Sequence, residues 1–187
     1  GCVKMLNEQI SVKSFGEICP GKGSNTRTPY EHQRKAMEHL DLMNKSKSYS
    51  TLVVLPTGGG KTYTASLWLL KNAIDKGKKI LWIAHRQMLL EQAAESFQKY
   101  AYAEVVPHIS SFAFRIVSGS SSHDRTSDIK PKDNLLIVSK DSIGRNLNRL
   151  DSWLAGEDEI YLIVDEAHHS TAKTYRKVIE YVKSKVP

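Results

Sequence analysis

Cysteine is scarce in this chain of 187 residues, with only Cys2 and Cys19 present. No Cys-x-x-Cys or His-x-x-x-His spacing occurs, which excludes the usual structural zinc frameworks. A disulfide between Cys2 and Cys19 is one alternative, and two free thiols in a reducing cytosol are the expectation. Long apolar runs are missing as well. The longest, 51–55 and 160–164, are strand-sized and fall far short of the ~20 residues that span a bilayer. The first twenty residues hold no signal-peptide apolar stretch. No membrane association and a cytoplasmic location are therefore the expectation. Internal repeats and long low-complexity tracts are also lacking. Acidic residues are outnumbered, 20 Asp and Glu against 27 Lys and Arg, for a formal charge of +7. That excess favours a polyanionic partner such as DNA or RNA.

The pattern that remains is an alternation of strand and helix. Residues 1–27 read as a flexible arm, loosened by Gly21, Gly23, Ser24 and Asn25. Thr28-Pro29-Tyr30-Glu31 is a capping box with proline at the first helical position, and it opens a helix to about 43. Strands are expected at 51–55, 79–84, 112–117, 134–139 and 160–164. Helices are expected at 62–75, 87–100, within 141–154, and from about 171 onward. Leu89, Leu90, Ala93, Ala94 and Phe97 recur with helical spacing. Runs that are apolar on both faces imply strands covered on both sides, hence a mostly parallel sheet with helices on both faces.

Two stretches carry chemistry. After the first long strand comes Leu55-Pro56-Thr57-Gly58-Gly59-Gly60-Lys61-Thr62, followed by a helix. Binding a triphosphate requires several backbone N–H groups converging on anionic oxygens, and Gly58, Gly59 and Gly60 allow that approach. The helix that follows adds its N-terminal partial charge. Lys61 is suited to the β- and γ-phosphates, and the Thr62 hydroxyl to Mg²⁺. The general phosphate-loop pattern starts with glycine, where this chain has Leu55.

The second stretch is 160–164, which delivers Asp165-Glu166-Ala167-His168-His169 at a strand's carboxyl end, the edge where open α/β sheets bind ligands. Asp165 is the candidate Mg²⁺ ligand, and Glu166 the candidate base that orients and deprotonates the attacking water. Adjacent His168 and His169 point apart on a turn, and no third ligand lies nearby in sequence. His168 is read instead as a link between the nucleotide site and neighbouring groups.

Together, Pro56-Thr57-Gly58-Gly59-Gly60-Lys61-Thr62 and Asp165-Glu166-Ala167-His168 resemble the motifs of superfamily 2 helicases. Within that group the chain is similar to the DEAD/DEAH-box relatives that include the Res subunit of type III restriction enzymes. The resemblance covers about residues 27 to 187. It implies a RecA-like P-loop domain over 28–187, the first motor domain of an ATP hydrolase of helicase or translocase type. ATP and Mg²⁺ are the implied cofactors, DNA (favoured) or RNA the implied partner, and a DNA-processing or restriction protein the implied setting.

Further motifs fall in family order. Tyr30-Glu31-His32-Gln33 resembles the upstream glutamine motif, which makes Gln33 the candidate reader of the adenine edge. Arg27 and Tyr30 are weaker candidates beside the base. ATP contacts are then expected from Gln33, Thr57, Gly58, Gly59, Gly60, Lys61 and Thr62, with Lys61, Asp165 and Glu166 catalytic. The stretch from Ala84-His85-Arg86-Gln87 resembles motif Ia, and Val138-Ser139-Lys140-Asp141 resembles motif Ib. The resemblance assigns His85, Arg86, Ser139 and Lys140 to the nucleic-acid backbone.

The family's next motif, a Ser-Ala-Thr-like turn after another strand, is not found, nor is a second motor domain with arginine fingers. The chain alone is therefore expected to be inactive, with a second motor domain in the full-length protein. In this fold class a strand normally separates the phosphate-loop strand from the acidic one. Its slot is expected either to close by direct pairing or to be filled by a partner. Two rivals remain at this stage: a nucleotide-binding module that senses or scaffolds without translocating, and a kinase of the same loop type.

Overall fold

In the computed structural model, residues 2–3, 13–22, 50–55, 61–166 and 169–186 are described. The expected helix over 28–43 lies outside them. The described strands are β1 (Cys2–Val3), β2 (Phe15–Ile18), β3 (Ser50–Leu55), β4 (Lys79–Ala84), β5 (Phe112–Val117), β6 (Leu135–Ser139) and β7 (Ile160–Asp165). The helices are α1 (Lys61–Asn72), α2 (Gln87–Tyr100), α3 (Lys140–Arg145), α4 (Asp151–Leu154) and α5 (Ala172–Lys185).

The strands form one seven-stranded sheet in the order β1-β2-β5-β6-β4-β7-β3. From β5 to β3 every pairing is parallel, as expected for an α/β domain of RecA-like type.

Period-2 alternation divides the core into two layers. Ile80, Trp82 and Ala84 of β4, Leu135 and Ile137 of β6, and Tyr161 and Ile163 of β7 pack on the layer that holds α1 and α2. Leu81 and Ile83, Leu136 and Val138, and Ile160, Leu162 and Val164 pack on the opposite layer with Trp153, Tyr175, Val178 and Val182. Every residue of β4 and β7 is buried, which is why these strands read as continuous apolar runs. Among the described residues, no helix is long and apolar enough to cross a membrane.

The strand order positions the site. The chain steps outward from β3 to β4 to β5, and β6 and β7 then fill the gaps. This return places β7 between β4 and β3, so that Leu55 registers with Asp165 and Ile83 with Val164. The end of the phosphate-loop strand and the end of the acidic strand are thus side by side. β3 and β7 pair directly over six residues, so the slot expected between them is closed. Direct pairing satisfies the backbone groups that an open slot would strand.

Two expectations are revised. Part of the presumed flexible arm is ordered: β2 pairs antiparallel with β5, and Ile18 is buried. Burying that side chain and completing a ladder on β5 outweighs the local glycines. Cys19 is disulfide-bonded rather than a free thiol; the parallel pairing of β1 with β2 brings 2–3 alongside 17–18. The helix expected within 141–154 is present as two short ones, α3 and α4. Asn146 leaves helical dihedrals at φ −136° and ψ 44°, and its side-chain amide donates to the Ser142 carbonyl at 3.0 Å. This caps α3, and the chain restarts through a 3₁₀ turn into α4.

Candidate functional site

Lys61 and Thr62 open α1, directly after the loop that leaves β3. Thr57, Gly58, Gly59 and Gly60 of that loop lie outside the described residues, as do Gln33, Arg27, Tyr30 and His168. At the neighbouring strand end, Asp165 closes β7 and Glu166 begins the turn. A cleft of about 500 Å³ joins them, lined by Lys61, Thr62, Arg86, Asp165 and Glu166 and continuing between α1 and α2 past Tyr63, Gln92 and Tyr100. Two of the residues expected to touch phosphate or magnesium and both acidic candidates therefore face one cavity.

Asp165 is only 3% exposed. Burial pushes its carboxyl up to about 6, partly opposed by a hydrogen bond from Trp82 and reinforced by the charge of Glu166. Trp82 Nε1 donates to Asp165 Oδ2 at 3.3 Å, and the Tyr175 hydroxyl donates to the Asp165 carbonyl at 3.4 Å. The Tyr175 phenol is itself pushed up to about 12, by burial first and then by the Asp165 charge. A carboxylate whose burial outweighs the opposing charge of Arg86 is suited to a metal cation. The oxygen donors Thr62 and Asp165 match the hard ligands that Mg²⁺ prefers, so the residues present fit that ion.

Glu166 has a positive φ of 50°, a left-handed conformation that costs a non-glycine residue on the order of 1–3 kcal/mol. Its carboxylate accepts from the Arg86 guanidinium at 2.5 Å. Arg86 itself is the N-cap residue of α2, on the turn after β4. Ser139 ends β6 and caps α3, accepting from the Ser142 N–H at 3.2 Å. Lys140 pairs with Asp141 at 2.7 Å. Because Ala84 registers with Ser139, the turn carrying His85 and Arg86 lies beside the turn carrying Ser139 and Lys140.

Three contacts at the candidate site escaped the sequence reading: Trp82 beneath Asp165, Tyr175 on its carbonyl, and Arg86 on Glu166. The first follows from strand register. Trp82 registers with Ile163, and period-2 alternation puts Asp165 on the same face as Ile163, a diagonal neighbour within reach of a long side chain. Replacing Trp82 with Phe keeps an aromatic ring for the edge contact with Phe97 and removes the N–H donor together with part of the buried indole's volume. The expected result is a roughly fivefold rise in the Mg²⁺ concentration needed for nucleotide binding, as for loss of one modest hydrogen bond. Magnesium titration of nucleotide affinity would show it, and an unchanged midpoint would remove Trp82 from the positioning of Asp165.

Comparison with known proteins agrees with this geometry. The family model described as type III restriction enzyme, res subunit, matches residues 26–186. The chain belongs to this family.

Among curated relatives, this res-subunit family member is 24% identical over 164 residues to an ATP-dependent DNA helicase Hel308 of Methanococcus vannielii, a match spanning 82% of this chain and 20% of the relative. It is 28% identical over 148 residues to Dicer-like protein 1 of Chaetomium globosum, spanning 75% of this chain and 9% of the relative. The chain thus spans a fifth or less of the length of these two relatives.

Proposed function

We propose that this chain is the ATP-binding motor domain of a nucleic-acid-dependent ATPase of helicase or translocase type, acting with Mg²⁺ and with DNA in preference to RNA. The observation that carries this reading is the register of β3 with β7, which puts Lys61, Thr62, Asp165 and Glu166 around one cleft. The preference for DNA is supported by the family's description and by the DNA helicase relative. Full activity in this reading involves a second motor domain.

Each residue has a distinct task. The Lys61 ammonium binds the β- and γ-phosphate oxygens as a point charge. The Thr62 hydroxyl and Asp165 carboxylate hold Mg²⁺, which when bound offsets charge on those oxygens. Trp82 fixes the orientation of the Asp165 carboxylate. Glu166 accepts a proton from water as the water oxygen bonds to the γ-phosphorus. The bond from that phosphorus to the β–γ bridging oxygen breaks, ADP leaves with the oxygen, and inorganic phosphate is released. His85, Arg86, Ser139 and Lys140, on adjacent turns at the same sheet edge, form the proposed nucleic-acid side of the domain.

Lys61→Ala tests the nucleotide site. Losing one charge-assisted contact is expected to weaken binding of a non-hydrolysable ATP analogue by about 2 kcal/mol, read by calorimetric titration. Equal affinity in wild type and variant would remove Lys61 from the site and sink the reading that depends on it.

A further inference from the structure

Arg86 stands between the two proposed sites. It follows β4, which is flanked by β7 on one side and β6 on the other. Its turn therefore has Glu166 on the nucleotide side and Ser139 and Lys140 on the proposed nucleic-acid side. The guanidinium reaches the Glu166 carboxylate at 2.5 Å and lines the nucleotide cleft, yet the side chain is 50% exposed while that of Glu166 is 16% exposed. One end of the ion pair is open to solvent and the other faces the cleft. Arg86 is also the N-cap residue of the 14-residue helix α2, where the helix's partial positive charge adds to its own in attracting an anion.

Resting on the role proposed above for Glu166, we propose that Arg86 is a latch coupling nucleic-acid occupancy to ATP hydrolysis: it restrains the Glu166 carboxylate in the free protein and releases it when a backbone phosphate takes the guanidinium. The guanidinium takes Oε2 of the carboxylate, so that oxygen is directed at an N–H donor and not at water, and the ion pair fixes the orientation of the whole group. A phosphodiester offers Arg86 the same planar, bidentate recognition as a carboxylate, so the exchange costs Arg86 no hydrogen bonds. Glu166 is then free to take the proton of the attacking water. Because its carboxylate is less exposed than the guanidinium, the incoming phosphate competes from the solvent side without entering the nucleotide cleft. Arg86 acts through Glu166 and is a positioning residue.

The test is ATP turnover by the full-length protein, with and without mixed-sequence single-stranded oligodeoxynucleotide or oligoribonucleotide, for wild type, Arg86→Ala and Arg86→Lys. In Arg86→Ala the basal kcat is expected to rise roughly two- to fivefold, the range set by a half-exposed ion pair. KM for ATP should be unchanged, and the stimulation ratio should fall by a similar factor. Arg86→Lys, which keeps the charge, should lie between wild type and Ala. Should the Ala variant not fold, Arg86→Gln is read in the same way.

An unchanged or reduced basal kcat in Arg86→Ala overturns the latch; a reduction would instead place Arg86 on the phosphates. A raised basal kcat with the full stimulation ratio retained overturns the coupling while leaving Glu166 as base. Wild-type turnover indifferent to both oligonucleotides overturns the latch together with the nucleic-acid reading. Full turnover in Glu166→Gln overturns the base assignment itself, and so separates failure of that reading from failure of the latch.

Discussion

Glu166→Gln in the full-length protein is expected to bind ATP as tightly as wild type and to turn it over about 10²- to 10⁴-fold more slowly, the range for loss of a positioned general base. The substitution keeps the side chain's length and shape, and its amide oxygen can still accept from Arg86, which reaches the carboxylate at 2.5 Å. What is lost is a group that can take a proton. Binding should survive because the proposed phosphate contacts come from Lys61 and the loop before it, not from Glu166. The left-handed φ of 50° at Glu166 is a cost borne by backbone that both variants share, so stability should barely change. Comparing kcat with the dissociation constant of a non-hydrolysable analogue separates the two effects. Turnover within a fewfold of wild type would mean that another group activates the water.

The sheet was legible in the sequence because its strands are buried on both faces. Runs such as 80–84 and 160–164 are apolar throughout, and the helices between them repeat at helical spacing, as Leu89, Leu90, Ala93, Ala94 and Phe97 do. Asp165 and Glu166 were legible for a related reason: two carboxylates after an apolar run sit at a strand's carboxyl end. β2 was not. It is four residues long and only Ile18 is buried, so its place in the sheet depends on pairing with β5, a partner nearly a hundred residues later. The break between α3 and α4 was hidden because apolar spacing continues through Asn146, whose side chain turns back to cap the first helix.

The contacts that tune the site share one obstacle. Trp82 on Asp165 and Arg86 on Glu166 both require β4 to lie beside β7, and adjacency of strands separated by about eighty residues is a property of topology, not of local pattern. Motif resemblance raised the expectation that Arg86 serves the nucleic-acid backbone. It did not reveal that the same side chain reaches the proposed base.

Asp165→Asn is expected to stabilise the Mg²⁺-free protein at pH 7 while abolishing the Mg²⁺ dependence of nucleotide binding. Burial raises the folded carboxyl from its ordinary 3.8 to about 6. Between those values the folded chain holds a proton that the unfolded chain has released, so stability declines as pH rises through that window. Below about pH 4 both states are protonated and the penalty vanishes. Above about pH 6 both are ionised and the penalty is complete. A difference between 3.8 and about 6 corresponds to about 3 kcal/mol as an upper figure, at 1.36 kcal/mol per unit. Asparagine does not ionise, and its carbonyl oxygen can still accept from Trp82 Nε1, so the variant escapes the penalty without losing that hydrogen bond. Denaturant titration across pH should find the two proteins alike near pH 4 and the variant more stable at pH 7. Millimolar Mg²⁺ should then narrow the gap by stabilising only wild type, because a cation at Asp165 offsets the buried charge. Parallel pH profiles for the two proteins would show that burial does not hold the carboxyl up, and with it would go the view of Asp165 as a strained anion awaiting its cation.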